Sequence, residues 1–261
     1  MKRPTGWRWS ASGKHPVARD FVYLGADHPL LCVMTETLGH AHLAALGERS
    51  EREGREAWNF WAIGSQRDTV VCGHVAESRD ALGRPHPLLL LGEGTLSGWR
   101  NRWNMLPLVL SDTWEGMGRI AAGAFDSLAA LQGALAALPS PLETWSRVRV
   151  ECSRSERGSG TDLGPILIKT GSGIGGASPS EGMDVRIARP EPRGKTSFWG
   201  GLFTRRNRAP QAVFFGGGGS SPWLRIFYRP LVRSDFVDFW TPRRKDDGNG
   251  TAGPGQTAHQ Q

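Results

Sequence analysis

The chain has 261 residues, of which 38% are hydrophobic and 11 are Trp, and it carries a formal charge of +7. That is the size of one large domain or of a domain with an appendage, with apolar material enough for a core. Cys32, Cys72 and Cys152 are too few and too odd in number for a disulfide framework. The basic start Met1–Trp7 has no apolar run behind it, and runs such as Leu88–Leu91 are far too short to span a bilayer. Reduced thiols and no targeting segment predict a cytoplasmic protein with no membrane insertion.

Taken in chain order, residues 1–19 read as a basic, Trp-bearing lead-in without periodicity. A helix is expected from Asp27, which can cap, and Pro29, which suits the first turn. Leu30, Leu31, Met34, Leu38, Leu43 and Leu46 follow at roughly helical spacing, up to Gly47. Trp58–Ile63, Thr69–Ala76 and Pro87–Leu91 read as strands. The last is apolar throughout, as a strand buried on both faces would be. The linkers 64–68 and 77–85 have turn chemistry, so these strands are expected to form an antiparallel meander.

The clearest helix is expected between Asp112 and Leu138, opening on a capping-box spacing of Asp112 and Glu115. Trp114, Met117, Ala121, Phe125, Leu128, Leu131, Leu135 and Leu138 mark its inner face, Pro139 ends it, and Gly123 is a place for a break. Beyond it, Arg147–Cys152 alternates like a strand, and Gly164–Lys169 is another candidate. Residues 170–210 are rich in Gly, Pro, Ser and Arg and read as a long excursion. Gln211–Phe215 and Trp223–Tyr228 are aromatic strand candidates around the glycines 216–219, and Ser234–Trp240 is a short helix or turn. Residues 241–261 read as a disordered polar tail.

Charge is uneven along the chain. Residues 1–150 hold sixteen basic and fifteen acidic residues, net +1; residues 151–261 hold sixteen and ten, net +6. The excess sits in 186–208 and 225–245. Such stretches attract nucleic acid or anionic lipid, but Pro and Gly interrupt these and no helix gathers the charge. A solvated face is the better reading, and no nucleic-acid partner is expected.

No motif points to a reaction. Gly171–Gly176 matches G-x-G-x-x-G, but no convincing helix follows to hold a pyrophosphate, so nucleotide binding there is an alternative reading. Neither glycine run is followed by the Lys-Ser/Thr of a P-loop. His40 and His42 are two apart on a helix and face different ways, and no Cys pair has ligand spacing. No catalytic, metal or cofactor-binding residues are assigned, and no cofactor is expected. Asp80, Gly83 and Arg84 form a turn ahead of a buried strand. Asp80 and Arg84 are expected to pin it, with Gly83 supplying a special backbone angle.

Gly13, Lys14, Pro16, Asp20 and Phe21 are followed by a Trp-x-Phe strand at Trp58 and Phe60. Then come Asp80, Gly83, Arg84, Pro87 and Leu88, the helical stretch 112–138, and an aromatic close at Phe214–Phe215 and Arg229–Pro230–Leu231 with Phe236. In this order the segments resemble the TagF/ImpM family of bacterial type VI secretion accessory proteins. The match is best over 10–140, within a single domain over 1–240 that carries an irregular insertion at about 153–210. His15 stands where the family usually has an apolar residue, and Phe214–Phe215 where Trp-Trp is common.

The resemblance implies an α/β (α+β) fold, a mainly antiparallel central sheet flanked by helices and likened to longin domains. It also implies a non-enzymatic regulator that restrains type VI secretion by contact with a forkhead-associated scaffold protein. On that reading Lys14, Arg19, Asp20, Asp80 and Arg84 are the candidate binding residues or structural landmarks, with Arg84 suited to pair with a carboxylate through its planar fork.

Overall fold

The computed structural model describes residues 6–46, 56–155, 183–186, 208–217, 223–237 and 239–240. The strands are β1 (Arg8–Gly13), β2 (Val22–Gly25), β3 (Ala57–Ile63), β4 (Thr69–Ala76), β5 (Leu88–Thr95), β6 (Met183–Arg186), β7 (Ala212–Gly216) and β8 (Trp223–Phe227). They form one sheet in the order β2-β1-β5-β4-β3-β7-β8-β6, and every adjacent pair is antiparallel. Helices cover both faces. α1 (Pro29–Leu46) and α6 (Arg233–Val237) lie on one. The 3-10 turn η1 (Trp99–Met105), α2 (Leu106–Val109), α3 (Ser111–Ala122), α4 (Leu128–Ala136) and α5 (Leu142–Ser155) lie on the other. This is a mixed α/β fold on an antiparallel sheet, as the sequence led us to expect.

The two cores follow from strand alternation. Leu88 and Leu90 feed the core under α2–α5, with Trp61, Trp99, Trp103 and Trp114. Leu89 and Leu91 feed the core under α1 and α6, with Trp58, Phe60, Phe214, Phe239 and Trp240. All four leucines are at most 1% exposed, so β5 is buried on both faces. The β3-β4-β5 meander is present, and β7 and β8, the strands expected on either side of the glycines, pair with each other.

Several elements differ from the expectation. The lead-in contains β1, whose inward positions under α1 are Ser10 and Ser12, 1% and 0% exposed. Buried serines erase the apolar alternation, and the Ser10 hydroxyl is satisfied by donating to Ala26 O at 2.6 Å. His28, not Asp27, caps α1, accepting from Leu30 N–H through Nδ1 at 3.2 Å, and Leu43 is 56% exposed rather than inward.

The expected helix 112–138 is two helices. Gly123 turns extended (φ −76°, ψ 153°) and ends α3, while the Ser127 hydroxyl caps α4 by accepting from Ala130 N–H. Leu110, not Asp112, is the N-cap of α3, and Leu128 is 44% exposed. Arg147–Cys152 belongs to α5, because Trp145 and Val148, buried three apart, select the helical period over the brief alternation. Within the 170–210 excursion, Met183–Arg186 is strand β6, paired to β8. Gly164–Lys169, Gly171–Gly176 and the tail 241–261 lie outside the described residues.

Among the described residues no helix is long and apolar enough to cross a membrane.

His74 lies on β4 beneath α3, 7% exposed, with Nδ1 donating to Asn59 Oδ1 at 2.7 Å. Burial lowers its pKa from 6.5 to about 4. The unfolded chain therefore takes up this proton first as pH falls, and the stability contributed by neutral His74 is present above 6.5 and lost between 6.5 and 4. On the order of 3 kcal/mol is expected to go in that window. Urea unfolding of wild type and His74→Gln from pH 7 to 4 checks this: the variant's curve is expected to be flatter by that amount.

Candidate functional site

Two loops more than sixty residues apart meet at the ends of β1 and β5. Gly13 closes β1 opposite Leu88 with φ +129°. A Cβ there would sit 2.1 Å from Pro87 O, so a glycine is what lets β1 end flush against β5. That end aims the next side chain: Lys14 Nζ reaches Asp80 Oδ2 at 3.1 Å, with both residues buried.

Asp80 organises its own loop. Oδ1 accepts from Leu82 N–H at 3.0 Å and Arg84 N–H at 2.9 Å, and Oδ2 accepts from Arg84 Nε at 2.7 Å. Its carbonyl accepts from Gly83 N–H, and Gly83, with open space around it, is required by φ +81° alone. Arg84 then joins the second loop to the first, donating from Nη2 to Arg19 O at 2.5 Å and lying 3.9 Å from Asp20. Ala81 N–H donates to Ala18 O at 2.8 Å. The expected pinning of the turn by Asp80 and Arg84 is seen, and Lys14, Arg19, Asp20, Asp80 and Arg84 come together in one cluster.

Burial by itself would raise the Asp80 carboxyl. The Arg84 amide, the Lys14 ammonium, the Arg84 guanidinium and the Leu82 amide outweigh it and bring the pKa down to about 2. Four donors occupy the four acceptor positions of the carboxylate. Asp80 thus has no lone pair left to take a proton from a substrate, and Lys14 is tied up beneath it.

Three rings flank the cluster. Phe21 packs under Lys14 Nζ (5.4 Å to the ring centre), edge-on to His86 at 4.6 Å and stacked on Tyr23 at 6.3 Å. His86 donates from Nδ1 to Pro87 O at 2.8 Å and abuts Gly39 of α1. Its pKa is lowered by burial, then by the charges of His42, Lys14 and His40, against the raising effect of the Pro87 bond. His15 turns the other way. Nδ1 accepts from Val17 N–H, so the neutral ring carries its proton on Nε2. That atom is buried at the C-terminal end of α3, near Ile120 and Gly123, without a hydrogen bond of standard geometry. Burial lowers its pKa as well.

The outer surface of this cluster is mixed. Arg19 is exposed, as are the side chains of Asp20 (79%) and Arg84 (51%), and Leu82 is 61% exposed. Sequence reasoning did not place Leu82 or His86 at the site, and noted His15 only as a departure from the family pattern, since a lone leucine or histidine in a loop carries no pattern of its own. The cluster offers a rigidly held guanidinium, a carboxylate and an apolar side chain, which suits recognition of another surface.

The basic C-terminal stretch is only partly the solvated face expected. Arg225 is 3% exposed and lies over the rings of Trp58 and Phe239. Arg229 makes a fork of 2.7 and 2.6 Å bonds to Asp235. These two cations hold β8 to α6. Among the described residues no group of three or more His, Cys, Asp or Glu is placed to hold a metal.

No protein-family model and no curated protein matches the chain. Its fold is similar to that in the crystal structure of PA0076 from Pseudomonas aeruginosa PAO1, with a TM-score of 0.51 and 16% identity over 95% of this chain and 100% of that one. The likeness is one of fold.

Because the Asp80 pKa is depressed in the folded chain, ionised Asp80 contributes stability that is present above the ordinary carboxylate value of 3.8 and lost as pH falls from there through about 2. Asp80→Asn cannot titrate. Wild type is expected to be the more stable by a constant margin above about pH 5, a margin that shrinks between pH 4 and 2, in urea melts compared across pH. A margin that stays level down to pH 2 would contradict the ionised cluster.

Proposed function

We propose that this chain is a non-enzymatic accessory protein of bacterial type VI secretion that acts by binding a cytoplasmic forkhead-associated scaffold, as a post-translational repressor. One observation carries the reading. The segments on which the TagF/ImpM resemblance rests, Gly13–Phe21 and Asp80–Leu88, are remote in sequence, yet their charged residues form a single interlocked structure in space. Convergence of the two segments on one exposed surface supports reading that surface as the contact. That surface presents Arg19, Asp20, Leu82 and Arg84 on a support fixed from below by Asp80. Preorganised side chains lose little entropy on binding, which is how a small charged patch gains affinity.

The experiment is a pull-down with the tagged full chain from a cytosol containing the type VI apparatus, followed by titration of the recovered scaffold. Leu82→Arg tests the surface without disturbing the fold, since Leu82 is 61% exposed. Its melting temperature is expected to match wild type, while scaffold affinity falls at least about tenfold, roughly 1.4 kcal/mol. Recovery of no scaffold by the wild-type chain would overturn the type VI reading; a Leu82→Arg affinity equal to wild type would move the contact away from this cluster.

A further inference from the structure

β2 is an edge strand, hydrogen-bonded to β1 on one side. Tyr23 of β2 points to the α1 face, where it pairs with the buried Ser12, and Phe21 just before the strand packs on the same side against His86. α1 packs across β1 and β5 and leaves Phe21 and Tyr23 38% and 65% exposed. On the opposite face α4 straddles β1 and β2. An edge that no described strand pairs, flanked by exposed aromatics, is a template for another strand.

We infer that a second copy of this chain occupies this edge, joining β2 to β2 about a two-fold axis into one continuous antiparallel sheet. Three features match this occupant. The first is charge. The start of β2 carries exposed Arg19 and Arg84 against Asp20, net positive once the Lys14–Asp80 pair cancels, and its end carries exposed Asp27. A two-fold brings the start of each strand against the end of the other, so Arg19 of each copy faces Asp27 of the other. The second is side-chain fit. The register centred on Tyr23 sets Val22 against Leu24, and the Phe21 ring against Gly25, which has no side chain to compete.

The third is α4. Its sequence LAALQGALA has no charge, and Leu128, Ala129, Ala130, Gly133 and Ala136 are exposed. Strands lie about 4.8 Å apart. A helix centred over β1 and β2 is therefore about 5 Å from such an axis, and the two α4 helices are about 10 Å apart, a packing distance for helices with small side chains. An unrelated extended segment meets the same edge without the charge match and without a helix to set against α4.

Sedimentation velocity of the purified full chain over a concentration series tests this, and neither result depends on the type VI scaffold. A reversible dimer is expected. Gly133→Arg is expected to weaken it at least tenfold with an unchanged circular dichroism spectrum: a Cβ at Gly133 meets nothing within 4 Å, and Arg is the better helix former. R19E or D27R alone is expected to weaken the dimer, and R19E/D27R together to restore it. Y23C in a C32S background is expected to cross-link two chains under mild oxidation. A monomer at every soluble concentration, or a dimer indifferent to G133R and to the charge exchange, overturns the inference.

Discussion

Leu88–Leu91 meet no solvent on either side of the sheet, and much else in the fold follows from that. A strand apolar on both faces needs a layer on each. The sequence supplies α1 and α6 for one and η1 with α2–α5 for the other. Each buried leucine contributes roughly 1.5–3 kcal/mol relative to exposure. The sheet also collects strands from both ends of the chain: β1 pairs with β5 and β7 with β3. The long segment between β5 and β7 is thereby committed to returning to the sheet, and the aromatic residues of β7, β8 and α6 close the α1-side core.

The loops at the start of β5 solve a different problem. Their backbone amides have no ladder to join, and a buried unpaired amide is costly. One carboxylate serves as a substitute for secondary structure. Asp80 takes the amides of Leu82 and Arg84, while Arg84 and Ala81 reach the carbonyls of the other loop. Burying that charge is tolerable because Lys14 and Arg84 compensate it. Well-packed apolar side chains of equal volume are often as stabilising as a buried ion pair. What they do not do is fix a direction. The fork of Arg84 is held by Nε on one side and Nη2 on the other, which orients the exposed guanidinium relative to Asp20 and Leu82.

How far the sequence told this in advance depends on the kind of signal. The meander was legible because Val70–Val75 and Leu88–Leu91 are β-rich and bounded by turn residues. The turn at Asp80–Arg84 was legible because Asp, Gly and Arg each have one ready reason to be there. β1 was not, since a strand that buries Ser10 and Ser12 under a helix has the wrong polarity for its position. α5 was misread because Arg-Val-Arg-Val alternation is too short to compete with the anchors at Trp145 and Val148. The site residues were named one by one, but their convergence is a tertiary fact. It depends on β1 lying beside β5, and that in turn rests on a strand the periodicity does not reveal.

Edge strand and charged cluster are neighbours, so the two proposed associations would share part of one surface. Phe21 is common to both. Its ring lies beneath Lys14 and against His86, while its backbone leads directly into β2. Pairing of β2 with a second copy uses the strand edge and the ring's outer side. Arg19 and Arg84 belong to the positive start of β2 as well as to the cluster, whereas the exposed Leu82 lies on the Asp80–Arg84 turn, outside the strand. The proposed two-fold dimer would carry two Leu82 turns on one sheet, at a separation set by strand length and register rather than by a flexible linker. Two sites held at a fixed spacing engage a partner with repeated epitopes more strongly than either alone, and fail to do so when the spacing is wrong. Fixed geometry of that kind would let the proposed dimer discriminate an assembled scaffold from its isolated subunits, which is the distinction the proposed regulator would have to make.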